Sequence, residues 1–133
     1  MAKCVLITGI TGFVGSHLAD YIRENIPNVH VVGLMRWRSR DEHIRHMRGS
    51  VTFEYGDLTD GSSLYRLLER HKPEVIFHLA AQSYVDYSFR AAAATLETNV
   101  LGTCQLLEAV RLLKESHGYD PVVHVCSSSE VYG

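Results

Sequence analysis

Five short apolar runs recur along the chain: KCVLITG (3–9), VHVVGLM (29–35), VTFEYGD (51–57), EVIFHLAA (74–81) and VVHVCSS (122–128). They are rich in Val and Ile, as strands buried on both faces are. Helical periodicity separates them. FVGSHLADYIREN (13–25) sets Val14, Leu18, Tyr21 and Ile22 on one face, and Pro27 ends it. SRDEHIRHMRG (39–49) reads as a short polar helix, and DGSSLYRLLERH (60–71) as a helix with Asp60 as N-cap. A long helix over 91–116 carries the stripe Leu96, Val100, Thr103, Leu107, Val110 and Lys114, with Gly102 inside it and Gly118 and Pro121 closing it. Strands alternating with helices demand a parallel sheet covered on both faces. Right-handed crossovers then make it doubly wound, so the expected class is α/β.

Composition narrows the partners. With 133 residues the chain suits one domain, and 46% hydrophobic against 21% charged residues is ordinary for a globular one. A net charge of −2 gives no nucleic-acid or membrane signature. No apolar run approaches the ~20 residues that span a bilayer, and the N-terminus enters a strand with no secretory signal. Cys4, Cys104 and Cys126 sit in apolar segments and read as reduced core thiols of a cytoplasmic protein. Of eight histidines only His43 and His46 share helical spacing, with no third ligand nearby, so no metal site is expected.

The glycines of LITGITGFVGSH (6–17) stand where the first strand hands over to the first helix. Gly9, Gly12 and Gly15 offer a tight turn, a close backbone approach to a phosphate, and close packing of helix on strand. Backbone amides and the helix dipole then face an anion. No Lys-Ser/Thr pair follows, which disfavours a P-loop.

These residues support a family resemblance. TGITGFVG resembles the TGxxGxxG fingerprint of the extended short-chain dehydrogenases/reductases, the epimerase/dehydratase family. GDLTD (56–60) resembles its adenine-contacting segment, HLAAQSYVDYSF (78–89) its fourth-strand motif and following loop, TNVLGT (98–103) its Asn-bearing helix, and SSSEVYG (127–133) its segment with the active Ser/Thr. The match runs the length of the chain. It implies a Rossmann domain over 1–133, cut after the fifth strand and lacking the substrate-binding C-terminal part. It implies cofactor contacts from Gly9, Thr11, Gly12, Phe13, Val14, Gly15, Asp57, Leu58, Leu79, Ala80, Ala81, Tyr84 and Asn99.

The branch follows from three segments. VVGLMRWRSR ends the second strand with no acid for a ribose 2′-OH but with Arg36, Arg38, Ser39 and Arg40, which favours NADP over NAD. Trp37 covers the adenine or packs on the surface; both readings stand. AAQSYVDYSF is most similar to the GDP-mannose 4,6-dehydratases and related reductases, making Ser83 and Ser88 candidate contacts to the cofactor or the sugar-nucleotide substrate, or loop caps. SSSEVYG resembles the dehydratase pattern, which gives Ser128 the hydroxyl role and Glu130 the role of general base at the sugar's C5. Ser stands where dehydratases usually carry Thr, so a reductase or epimerase stays open, as does a non-catalytic NADP-binding module. The family's Tyr-x-x-x-Lys pair is absent from the chain. The resemblance implies a nucleotide-sugar substrate, GDP-mannose in the nearest branch, and a homo-oligomer.

Overall fold

The computed structural model describes residues 3–132. Five strands, β1 (Lys3–Thr8), β2 (Val29–Met35), β3 (Thr52–Tyr55), β4 (Val75–His78) and β5 (Val122–Val125), form one parallel sheet in the order β3-β2-β1-β4-β5. The order reverses between β1 and β4, which pair from Val5↔Val75 to Thr8↔His78. A doubly wound sheet opens a crevice at such a point, at the strands' carboxyl ends.

Two apolar layers hold the helices on the sheet. Alternation sends Leu6 of β1 to one face and Val5 and Ile7 to the other. On the first face α2 (Gly61–His71) and α5 (Gly102–His117) bury Leu64, Leu67 and Leu68 with Leu106, Ala109 and Leu113. On the second, α1 (Phe13–Asn25) buries Ala19 and Ile22 against Val5, Ile7 and Val31. Each large side chain so buried contributes about 1.5–3 kcal/mol before entropy is counted. The second face is covered over β1 to β3; toward β5 the strand is largely exposed, and the rings of Phe77 and His124 stand there with centroids 5.8 Å apart, tilted at 57°.

Four local expectations change. The segment 39–49 is a series of turns with a single 3₁₀ turn, Arg45–Met47, and not an α-helix. It is fixed by burial of Ile44 and Met47 and by Asp41, which pairs with Arg45 and Arg48. The long helix starts at Ala92 as α4 (Ala92–Leu96), passes through a π turn at Glu97–Leu101 and continues as α5. A separate helix, α3 (Val85–Arg90), precedes it. The buried faces of α1 and α5 are each turned by about one residue from the expected stripes. Gly15, Ser16, Ala19 and Ile22 face the sheet in α1, and Gly102, Leu106, Ala109 and Leu113 in α5. Val14, Tyr21, Leu96, Val100 and Leu107 are exposed. Small residues win these positions because they let helix and sheet approach closely: a Cβ on Gly102 would lie 2.7 Å from that of Leu58. Finally, only Cys4 is half-buried; Cys104 and Cys126 are exposed, on the outer face of α5 and just beyond the edge strand, so they are not core thiols. Burial and the charge of Glu74 push the Cys4 thiol up.

Among the described residues no helix is long and apolar enough to cross a membrane, and no three His, Cys, Asp or Glu residues cluster as a metal site.

Candidate functional site: a cleft at the strand-order reversal

A cleft of about 760 Å³ opens at the carboxyl ends of β1, β2 and β4. The turn after β1 forms its floor. Gly9 takes φ +72°, a left-handed conformation that costs glycine nothing, and a Cβ there would lie 2.8 Å from the Ala80 amide nitrogen. A Cβ on Gly15 would overlap the Gly9 carbonyl, so the third glycine is what seats α1 against the turn. Gly12 differs: a Cβ there would meet only the Gly9 carbonyl oxygen, at 3.3 Å. It is the N-cap of α1 and supplies no side-chain cap, so the first amides of that helix remain open to the cleft.

The opposite wall follows β4. The Thr103 hydroxyl donates to the Asn99 carbonyl at 2.7 Å, so its oxygen accepts from His78 Nε2–H at 2.9 Å. His78 Nδ1 is then the acceptor, receiving the Thr8 hydroxyl at 2.8 Å. The Thr8 oxygen in turn accepts the amides of Leu79 and Ala80, each at 3.1 Å. Donor counting thus fixes a neutral His78 protonated on Nε2. Burial holds its pKa below the ordinary value, in agreement. Asn99 clamps the next residue from both sides: its Oδ1 accepts the Gln82 amide at 2.7 Å and its Nδ2 donates to the Gln82 carbonyl at 2.9 Å.

The third wall joins β2 and β3. Arg36, Arg38, Ser39 and Arg40 line the cleft beside Gly56, Asp57 and Leu58. Among the described residues no carboxylate pairs with any of the three arginines. The Asp57 carboxylate accepts from the Thr59 amide and hydroxyl, both at 2.9 Å, which shapes the turn.

The structure therefore gathers most residues expected from the sequence. Gly9, Thr11, Gly12, Phe13, Val14, Gly15, Arg36, Arg38, Asp57, Leu58, Leu79, Ala80, Ala81 and Ser83 all line the cleft. Five other expected residues lie outside the lining of this cleft. Tyr84 is exposed at the start of α3 and does not line it. Asn99 holds the loop at Gln82 and does not line the cleft itself. Ser88 is outside it, inside α3, with its hydroxyl donating to the Val85 carbonyl of the same helix at 2.6 Å. Ser128 and Glu130 are exposed beyond β5, two strands from β1, and do not line it either. There Ser128 Oγ accepts the Glu130 amide at 3.1 Å and starts the 3₁₀ turn Ser129–Tyr132. Gly133, last of SSSEVYG, lies outside the described residues. Gln82, Tyr87, Ala94 and Thr98 line the cleft as well and were not singled out. Gln82 lies inside the motif AAQSYVDYSF, beside Ser83.

A five-stranded parallel sheet whose order reverses at a glycine turn, with a crevice at its carboxyl edge, is the architecture of the Rossmann class. The family profile described as GDP-mannose 4,6 dehydratase matches residues 6–133. The GDP-mannose 4,6-dehydratase of Vibrio cholerae is 36% identical over 143 residues, covering 100% of this chain and 37% of that protein. The GDP-mannose 4,6 dehydratase of Homo sapiens is 38% identical over 141 residues, covering 96% and 36%. The structure of UDP-glucose 4-epimerase from Brucella ovis in complex with NAD superposes with a TM-score of 0.82 at 30% identity, covering 99% of this chain and 38% of that one. The chain belongs to the GDP-mannose 4,6-dehydratase family. It spans a little over a third of the length of these curated relatives.

Proposed function

We propose that this chain is the dinucleotide-binding part of a nucleotide-sugar 4,6-dehydratase, with NADP as cofactor and GDP-mannose as substrate. One observation carries the cofactor reading: the uncapped N-terminus of α1 and the unpaired Arg36, Arg38 and Arg40 line the same cleft. A nicotinamide dinucleotide fits that donor set. Its pyrophosphate would meet the Gly12–Gly15 amides, where a Cβ-free residue leaves room, and a 2′-phosphate would meet the guanidiniums in charge-assisted, bidentate pairs. Such a cofactor, when bound, supplies the reversible hydride transfer of the reaction.

The chain's own residues divide the remaining work. The Thr8–His78–Thr103 chain and the Asn99 clamp hold residues 79–82 in place along the cleft. Ser128 is assigned to orient a sugar hydroxyl, and Glu130 to remove the proton made acidic by an adjacent ketone. Both project from the same carboxyl edge of the sheet as the cleft. Turnover is assigned to a protein that adds the family's Tyr-x-x-x-Lys pair, since this chain has none. The exposed Leu96, Val100 and Leu107 on the outer side of 92–117 support self-association.

Glu130→Gln in the full-length protein tests the assignment. Dehydration of GDP-mannose should fall by about 10²- to 10⁴-fold, the usual contribution of a general base. Binding of NADP⁺ and of GDP-mannose should persist. Dehydration at the parental rate would remove Glu130 from the role. The likeness to a UDP-glucose 4-epimerase favours a second reading, epimerisation. A product with inverted configuration and all its oxygens retained would establish that reading instead.

A further inference from the structure

Trp37 sits among the arginines yet does not share their direction. Arg36, Arg38, Ser39 and Arg40 line the cleft, whereas Trp37 does not. Its indole is 78% exposed, and its aromatic partner is Tyr55, with ring centroids 5.3 Å apart in an edge-to-face pair at 61°. Tyr55 ends β3, and the next residues, Gly56 and Asp57, are cleft wall. The pair therefore ties together the two segments that border this end of the cleft. The backbone between them is already short of freedom: the Ser39 amide donates to the Arg36 carbonyl at 3.0 Å, the Arg36 amide donates to Ser39 Oγ at 3.2 Å, and the Gly56 amide donates to the Met35 carbonyl at 3.1 Å.

Three like charges on five consecutive residues repel one another, and no carboxylate among the described residues forms an ion pair with them. The backbone bonds at Arg36, Ser39 and Gly56 set the path of the turn, and a contact on its far side adds to that hold. An aromatic edge-to-face contact does this without competing for the guanidinium donors. We propose that Trp37 and Tyr55 form a clasp that positions the arginine turn, and so make Trp37 a positioning residue for selectivity toward a 2′-phosphorylated dinucleotide. The inference rests on the NADP reading above and adds the element that makes the arginines effective. A pre-formed turn spares part of the ordering cost that flexible arginines meet on binding.

The clasp differs in its consequences from the alternative in which the indole stacks on the adenine. Adenine is common to both cofactors, so a lost stack weakens NAD⁺ and NADP⁺ alike. A lost clasp weakens only the ligand that uses the arginines. The test is calorimetric titration of the full-length protein and its variants with NADP⁺, NAD⁺ and 2′,5′-ADP. Trp37→Ala and Tyr55→Ala should each raise the Kd for NADP⁺ and 2′,5′-ADP by about tenfold, the scale of an aromatic pair, with the Kd for NAD⁺ held within about twofold. Trp37→Phe, which keeps a ring, should stay within about threefold of the parent for NADP⁺. Trp37 is exposed, so folding persists, and an unchanged thermal midpoint verifies it. Unchanged NADP⁺ affinity in Trp37→Ala, or equal weakening of both cofactors, overturns the clasp. Arg36→Ala with Arg38→Ala separates the two failures. If that double variant loses the NADP⁺ preference while Trp37→Ala keeps it, the clasp fails and the NADP reading stands. A parent with no preference for NADP⁺ ends both.

Discussion

Two helices start at the same carboxyl edge of the sheet, and they treat their first amides in opposite ways. At α2 the chain caps itself: Asp60 Oδ1 accepts the Ser62 amide at 3.0 Å and the Ser63 amide at 3.3 Å, and also the Ser62 hydroxyl at 2.7 Å. These bonds hold the Asp60 carboxyl below the usual range. At α1 the cap is Gly12, with no side chain to offer. Helix amides left without a partner are a cost unless water or a ligand meets them. Of these two helices, the one that accepts that cost is the one that opens into the cleft. The difference teaches that α2 is closed by its own sequence, whereas the first amides of α1 are left for water or a ligand.

The comparison is broken most directly by making α1 resemble α2. Gly12 has φ −80° and ψ 171°, the extended conformation an N-cap Asp adopts, and a Cβ there meets only the Gly9 oxygen. Gly12→Asp in the full-length protein should therefore fold, and gain up to about 1 kcal/mol from capping and the helix dipole. It should also lose dinucleotide affinity by at least about 100-fold, because a carboxylate then occupies and repels the phosphate position. Denaturant unfolding and calorimetric titration read the two effects separately. Undiminished binding in this variant would show that the open N-terminus of α1 is not the anion site.

A smaller effect tests what keeps the opposite wall in place. His78 is 4% exposed, and both ring nitrogens are used by the neutral tautomer. Its pKa is lowered in the folded protein by burial. The unfolded chain therefore takes up a proton first as pH falls through about 6.5. Stability from this group is complete above that pH and declines as pH drops toward the folded value, below which His78 adds no further change. The slope is at most about 1.4 kcal/mol per pH unit. Unfolding free energies at pH 7 and pH 5 should show it in the parent and not in His78→Gln. An identical slope in both proteins would mean that the wall does not depend on the neutral imidazole.

Sequence periodicity found the five strands, their order of appearance and the glycine turn, because each rests on local chemistry: Val and Ile in buried runs, and glycine where φ must be positive. The crevice followed from topology alone. Helix faces were less legible. Large apolar side chains point to Val14 and Tyr21 in α1 and Leu107 in α5, whereas the buried positions hold Gly15, Ser16, Ala19, Gly102 and Ala109. Small residues mark close approach, and close approach is a property of the partner surface. The π turn at 97–101 has no clear residue signature either; the Asn99 clamp on Gln82 lies within it and the Thr103 bond to His78 just after it, and both are contacts across distant parts of the chain. The same limit explains Ser88, whose hydroxyl satisfies its own helix. A motif names the residue but not which neighbour reaches it first.

The smallest expected effect concerns the closed partner in the comparison. Asp60→Ala removes the acceptor for the Ser62 and Ser63 amides at the N-terminus of α2. Loss of an N-cap acid ordinarily costs about 1 kcal/mol. Here the Ser63 hydroxyl still donates to the Asp60 main-chain carbonyl at 2.8 Å, so part of the first turn survives. The packing of Leu64, Leu67 and Leu68 beneath the helix is untouched, which limits the loss to the end of the helix. Dinucleotide affinity should not change, since α2 offers its amides to its own carboxylate and not to the cleft. Denaturant midpoint and NADP⁺ titration on the same variant decide it. A loss of stability near 1 kcal/mol with unaltered binding keeps the two helix ends distinct. A comparable fall in affinity would show that the ends are coupled through the turn at Asp57–Asp60, and the contrast between a closed helix and an open one would no longer explain where the ligand binds.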